Sequence, residues 1–345
     1  MAPPDDLTRA DEGEVEGEVV ARAPDGLAPG DRVGPYVVLA KLAEGGMGAV
    51  FDALHLGLER RVAIKTLHAR VRGSAVARER FMREGRAAAR VRHPHVIEVF
   101  DVGLRDDDTP YLVMERLEGE DLAALLQREG PIEVERAVEL ALPVIAAVCE
   151  AHARGVVHRD LKPENVFVAL GPLGEPHPKV LDFGVAALID ERSALTQASV
   201  VVGTPSYMAP EQALNSRGAS VASDQYPLGA LLYECLVGSV PFVRDTPVEL
   251  FAALARDPVP PPRSLRPGLP PALEAVILRA LARDPAERFA SVKGLGAALL
   301  PFASDAARSR WTSTFTTSVL RAPTVPAPRP PAPTVMILPG GARRS

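Results

Sequence analysis

The sequence predicts an α+β fold in two parts, a small β-rich one followed by a large helical one. Early in the globular region short runs rich in Val, Ile, Tyr and Phe flank a glycine turn, the pattern of strands. Through the later two thirds apolar residues recur at helical spacing instead. Strands early and helices late exclude alternating βαβ units, and the chain shows no repeat at a period of about 20–50 residues.

Taken in order, residues 1–33 carry Asp5, Asp6, Asp11, Glu12, Glu14, Glu16, Glu18 and Asp25 against Arg9 and Arg22. So acidic a segment, with few large apolar side chains, buries too little surface to offset ordering entropy and is expected to be disordered. The globular region is expected at 34–302. Residues 36–39 and 49–51 read as strands flanking a glycine turn, and 61–66 as a third strand. A charged helix follows at 75–91, with Gly85 as its weak point. Strands at 96–102 and 111–114 complete the first part, about 34–115. The second part, about 118–302, holds helices at 122–127, 134–152, 225–236, 248–255, 272–282 and 292–300. Pro227 is cheap in a first turn and costs about 3 kcal/mol deeper in a helix, so that helix is expected to begin close to Asp224. Residues 303–345 are rich in Pro, Thr and Arg and read as a disordered, polyproline-like tail. The acidic head and basic tail either attract each other or are solvated independently, and the second is the simpler expectation. Trp311 falls in this tail, and the sequence does not show whether it docks on the body.

The 345 residues are 47% hydrophobic and 24% charged, with a net charge of −5, the balance of an ordinary globular protein and not of a nucleic-acid binder. No apolar run reaches the roughly 20 residues of a membrane span. The acidic start lacks the basic and apolar regions of a signal peptide, so a cytoplasmic protein is expected. Cys149 and Cys235 sit in apolar helical runs and read as buried thiols; a disulfide framework or metal site needs more cysteines.

The chemistry concentrates in residues 158–165, His-Arg-Asp-Leu-Lys-Pro-Glu-Asn, which join a buried helix to a short hairpin. This loop offers Asp160 as a base, Lys162 as a fixed cation and Asn165 as a metal-ligating amide. The set suits moving a phosphoryl group from a metal-bound nucleotide to a hydroxyl. Earlier residues must then grip the nucleotide. Glu44-Gly45-Gly46-Met47-Gly48 lets backbone N–H groups approach phosphates, although a plain hairpin turn explains it equally well. It joins strand to strand, which disfavours nucleotide loops that open a helix. In Val62-Ala63-Ile64-Lys65 the lysine either reaches bound phosphates or snorkels at the surface. Glu84 on the next helix either pairs with Lys65 or is an exposed helix charge. Asp182, in Val180-Leu181-Asp182-Phe183-Gly184, is a hard oxygen donor suited to Mg2+.

Gly203-Thr204-Pro205 and Met208-Ala209-Pro210-Glu211 follow. In this order the motifs resemble those of the eukaryotic-like serine/threonine protein kinases of bacteria, over about residues 36–302. The resemblance implies the two-lobed protein kinase fold, with one regulatory helix in the β-rich N-lobe and a helical C-lobe. It implies ATP bound by Leu42, Ala43, Gly45, Gly46, Gly48, Val50, Ala63 and Lys65, with adenine at the Glu115–Leu117 hinge behind Met114. It implies that Glu84 pairs with Lys65, that Asn165 and Asp182 ligate Mg2+ (or Mn2+), and that Asp160 orients the substrate hydroxyl. Lys162 then neutralises the moving phosphoryl, Thr204 orients Asp160, Asp224 anchors the catalytic loop and Glu211 pairs with Arg288. Arg159 goes with activation by loop phosphorylation, for which Thr196 and Ser199 are the candidates.

Ala43 stands where the family's first loop glycine lies, and Gly85 and Pro227 are also unusual. The implied function is phosphorylation of Ser/Thr hydroxyls in protein substrates, self-association for trans-autophosphorylation included, with no nucleic-acid partner. Alternatives are a pseudokinase scaffold or a small-molecule kinase of related fold. With neither span nor sensor domain in sight, the activating input is expected from a partner, another kinase or the tails.

Overall fold

The computed structural model describes residues 27–45, 48–68, 74–183, 205–214 and 220–317, excepting the side chains of Arg80 and Glu84. The first part is a six-stranded antiparallel sheet. Its strands are β1 (Arg32–Val33), β2 (Tyr36–Glu44), β3 (Gly48–His55), β4 (Arg60–Leu67), β5 (Val99–Leu104) and β6 (Pro110–Glu115), in the order β1-β2-β3-β4-β6-β5. Period-two patterning sets the faces. Val62 and Ile64 of β4 pack with Phe51, Ala53, Tyr111 and Val113, while Ala63 turns the other way, against Ile97 and Met114. Leu181, from the second part of the chain, packs on that latter face, so Ala63 and Met114 line the cleft between the two parts.

Helix α1 (Ala75–Ala88) begins where Ser74 caps the Ala77 amide, and docks Phe81 against Leu67 and Leu112. The sequence made Gly85 a weak point of this helix. The structure gives it a packing role: a Cβ there lies 2.8 Å from Leu112 Cδ1 and 2.9 Å from Val102 Cγ2. Glycine lets the helix lie close on the sheet.

The second part contains β7 (Gly119–Asp121), α2 (Leu122–Glu129), α3 (Val134–Ala153), β8 (Val166–Leu170) and β9 (Pro176–Val180). It continues with α4 (Pro210–Leu214), α5 (Gln225–Val237), α6 (Pro247–Arg256), α7 (Pro262–Leu265), α8 (Pro271–Ala280), α9 (Val292–Leu299) and α10 (Asp305–Thr316). Leu142, Ile145 and Val148 of α3 share one core with Leu228, Leu232 and Leu236 of α5 and with Leu273 and Leu295. Pro227 occupies the first turn of α5, as expected. Strands β7, β8 and β9 form a small sheet beside the 158–165 loop. Pro176 and Pro178 are tolerated in β9 because it is an edge strand. Cys235 is buried and Cys149 half-buried, and burial pushes both thiols up to about 12, far from a reactive thiolate. No helix among the described residues is long and apolar enough to cross a membrane.

Two boundaries differ from expectation. Leu27 and Val33, assigned to the disordered head, are buried against the sheet. Asp305–Thr316, assigned to the tail, form α10, because Trp311 and Phe315 lie one turn apart on one face and bury together. The disorder expected for residues 1–26 and 318–345 lies outside the described residues.

Arg288 locks the helical part. Its side chain is 0% exposed and forks onto Glu211 at 2.7 Å through both terminal nitrogens. It also donates to the Ala222 and Ala282 carbonyls. Burial raises the Glu211 carboxyl, but the Arg288 bonds outweigh it and hold the group below the ordinary range. The stability this contributes is present above the usual carboxylate range and is lost as pH falls below it. Removing one partner strands a buried charge, so Arg288→Ala is expected to cost about 3–5 kcal/mol in urea unfolding. The apolar double variant Glu211→Leu/Arg288→Met is expected to recover much of that loss.

Candidate active site

The site grows from one buried carboxylate. Asp224, at the start of α5 and 0% exposed, does not cap its own helix. It reaches the loop after α3 instead. Asp224 Oδ1 accepts from the Arg159 amide at 2.8 Å, and Oδ2 accepts from the His158 amide at 2.9 Å and from His152 Nε2 at 2.7 Å. A buried carboxylate needs such donors to offset its desolvation. They hold Arg159 at a φ of 68°, a left-handed conformation that costs a non-glycine residue about 1–3 kcal/mol. Gln212 of α4 donates to the Arg159 carbonyl at 3.2 Å, fixing the other side of the residue.

His158 carries this order to the segment after β9. Its ring donates from Nε2 to the Leu181 carbonyl at 2.9 Å and accepts the Asp160 amide at Nδ1 at 3.3 Å. It packs on Phe183 with centroids 4.8 Å apart. Asn165 completes the circuit. Its Nδ2 donates to the Asp160 carbonyl at 2.7 Å and to Asp160 Oδ2 at 3.1 Å, and its own carbonyl accepts from the Leu181 amide at 2.9 Å. Lys162 Nζ lies 3.2 Å from Asp160 Oδ2. Asp182 follows Leu181 with a φ of 48° and pairs with Lys65 Nζ at 2.7 Å. Desolvation raises the Asp182 carboxyl, but Lys65, His158 and Lys162 outweigh it and keep it in the ionised form.

The glycine turn closes through the Gly45 amide, which donates to the Gly48 carbonyl at 2.9 Å, and His68 Nε2 holds the Gly45 carbonyl at 2.9 Å. A Cβ on Gly48 lies 1.9 Å from the Thr66 carbonyl, so only glycine fits there. Leu42 is exposed, and Ala43 pairs with Val50 beside a bulge in β2. Val50, Ala63, Met114, Leu117 and Leu181 form one apolar cluster that floors the cleft. Glu115, at the end of β6, accepts from Lys179 Nζ at 2.7 Å and from the Glu98 amide at 2.8 Å.

Thus Lys65, Asp160, Lys162, Asn165 and Asp182 come together, and Asp224 and Arg288 hold the contacts expected of them. Gly46, Thr196, Ser199, Thr204 and the Glu84 side chain lie outside the described residues. The ring of His158 and the brace from His68 were not read from the sequence. His158 stood in the quoted loop, but nothing local shows that a ring bridges to residue 181.

The donor set fits a cation shared with phosphates. Both Asn165 amide hydrogens are spent on Asp160, so what that side chain offers is oxygen. Among the described residues no group of three His, Cys, Asp or Glu side chains forms a metal cage. One carboxylate and one amide oxygen suit Mg2+, which keeps waters and takes its remaining ligands from substrate phosphates.

A family profile described as protein kinase domain matches residues 36–298. The serine/threonine-protein kinase pkn3 of Myxococcus xanthus is 41% identical over 269 residues, 76% of this chain and 49% of that protein. PknH of Mycobacterium tuberculosis, also a serine/threonine-protein kinase, is 37% identical over 314 residues, 90% of this chain and 49% of that one. The crystal structure of the Mycobacterium tuberculosis PknI kinase domain aligns with a TM-score of 0.62 at 30% identity, covering 81% of this chain and 100% of the other. The chain spans about half the length of the curated relatives it matches.

Asp224→Asn turns one accepting oxygen into a donor facing an N–H group. It is expected to cost about 1–3 kcal/mol of stability. Faster hydrogen exchange at the His158 and Arg159 amides is expected to mark the released loop.

Proposed function

The chain belongs to the protein kinase family, and we propose that it transfers the γ-phosphoryl group of ATP to serine or threonine hydroxyls of proteins. The observation that carries this reading is the joined network Asp160–Asn165–Leu181–Asp182–Lys65, which brings base, cations and oxygen donors to one cleft. Its relatives are bacterial serine/threonine kinases.

In this reading the apolar floor of Val50, Ala63 and Leu117 takes the adenine ring, and the turn at Gly45 and Gly48, with Gly46, covers the phosphates. Lys65 exchanges Asp182 for phosphate oxygens and for Glu84. Asn165 and Asp182 hold Mg2+, or Mn2+ in its place, and the bound cation supplies charge neutralisation at the phosphates. Asp160 accepts the hydroxyl proton as the substrate oxygen bonds to the γ-phosphorus, the bond to the bridging oxygen breaks and ADP departs. Lys162, beside Asp160, meets the negative charge of the moving group, and Thr204 orients Asp160.

Regulation follows from Arg159. Its Nε is buried without a hydrogen-bond partner among the described residues. A phosphate on Thr196 or Ser199 satisfies such a group with charge-assisted bonds, which supports activation by trans-autophosphorylation through self-association. A cytoplasmic location, where ATP and Mg2+ are supplied, belongs to the same reading. A silent scaffold is disfavoured, because Lys65, Asp160, Asn165 and Asp182 are all present and joined.

Incubation with Mg2+ and γ-labelled ATP is expected to label the wild-type chain on serine and threonine. Lys65→Met and Asp160→Asn are each expected to lose at least about 100-fold of that rate. Wild-type chain that stays unlabelled, even after activation-segment phosphorylation by another kinase, contradicts the reading.

A further inference from the structure

Helix α10 lies beyond residue 298, where the kinase-domain match ends, yet it is built into the body. Ser304 caps it by accepting the Ala307 amide at 3.2 Å and bonds Glu139 of α3 through its hydroxyl. At the far end Lys293 of α9 holds the Thr317 carbonyl. Phe315, 3% exposed, fills the space over Gly296, where a Cβ lies 2.5 Å from its ring. Trp311, 9% exposed, lies against His95, with ring centroids 5.6 Å apart.

His95 belongs to the connection between α1 and β5. Its ring stacks on His177 of β9 at 4.4 Å and donates from Nδ1 to the Pro178 carbonyl at 2.8 Å. Its own carbonyl accepts the Val180 amide at 2.9 Å, and the Ile97 amide donates to the Val180 carbonyl at 3.0 Å. These bonds tie strand β9 to the connection after α1. The strand is short, lies at the sheet edge and carries two prolines that donate nothing to a ladder. Two residues beyond Val180 stands Asp182, in its left-handed conformation. A strained residue keeps its place only where its surroundings over-determine it. Burial lowers the His95 imidazole to about 4, so at neutral pH the ring is uncharged between His177 and Trp311.

We propose that Trp311 is a positioning residue for Asp182: it presses His95 onto β9, and so sets the metal affinity of the active site from a helix outside the matched domain. This rests on the reading of Asp182 as a metal ligand. The path runs from Trp311 through His95 and Val180 to Asp182.

The test uses the full chain with ADP and Mg2+. Changing a side chain that supports a metal ligand typically costs about 10–100-fold in metal affinity, and at least about 10-fold is expected for Trp311→Ala in the Mg2+ concentration that half-saturates the ADP complex, read by calorimetry. Affinity for metal-free ADP is expected to fall by less than affinity for Mg2+, since the apolar floor rests on Val50, Ala63 and Leu117 as well as on Leu181. Trp311→Phe is expected to restore Mg2+ affinity, and His95→Ala to reproduce its loss. Trp311 is the single tryptophan, so in the wild-type chain, with no substitution to unfold it, Mg2+ added to the ADP complex is expected to change its emission. A Trp311→Ala chain with lowered melting temperature but unchanged Mg2+ half-saturation, or unchanged wild-type emission, overturns the proposal. Asp182→Asn separates the two readings: if it leaves Mg2+ dependence intact, the metal-ligand assignment fails, and this inference with it.

Discussion

The structure depends on a carboxylate removed from water. Asp224 is fully buried and is tolerated there because three N–H groups converge on it. In return it fixes two consecutive backbone amides, of His158 and Arg159, and holds Arg159 in its left-handed conformation. The contacts of the 158–165 loop build outward from that point. The loop presents Asp160 and Asn165 in one orientation, and His158 passes the constraint to the segment that carries Asp182.

The two parts of the molecule meet through small, directional contacts. Lys65 from the sheet pairs with Asp182, and Leu181 completes the apolar floor begun by Val50 and Ala63. Along the back of the cleft, the connection after α1 pairs with β9 through Val96 and Val180. The segment that carries Asp182 is therefore tied to the first part on two sides, by Lys65 in front and by His95 behind. The outer shell is held differently, by the Arg288–Glu211 lock and the apolar packing of α3 on α5. That shell is a platform, and the chemistry sits on its edge.

Much of this was legible in the sequence because the chemistry-bearing residues are local. Lys65 ends a strand of apolar residues, Asp160 to Asn165 lie within one loop, and Asp182 follows an apolar pair. Pro227 marked the start of α5 because its cost is positional. Other features were not legible, because they arise from long-range packing. Gly85 looks like a helix defect until Leu112 and Val102 are seen against it. Helix α10 was hidden by the hydroxyl- and arginine-rich composition around Trp311 and Phe315; two aromatic residues one turn apart outweigh that composition once Gly296 and His95 lie beneath them. The reach of His158 to Leu181 spans 23 positions and leaves no periodic trace.

The central claim is that Asp224 and His158 act as one frame for Asp160 and Asp182. A double-mutant cycle on kcat/KM for phosphoryl transfer, with Asp224→Asn and His158→Phe, tests it directly. His158→Phe keeps the packing on Phe183 and removes both ring bonds. One frame predicts that the double variant is barely slower than the worse single variant, a coupling on the order of 1–3 kcal/mol. A double variant slowed by the product of the two single losses contradicts the claim.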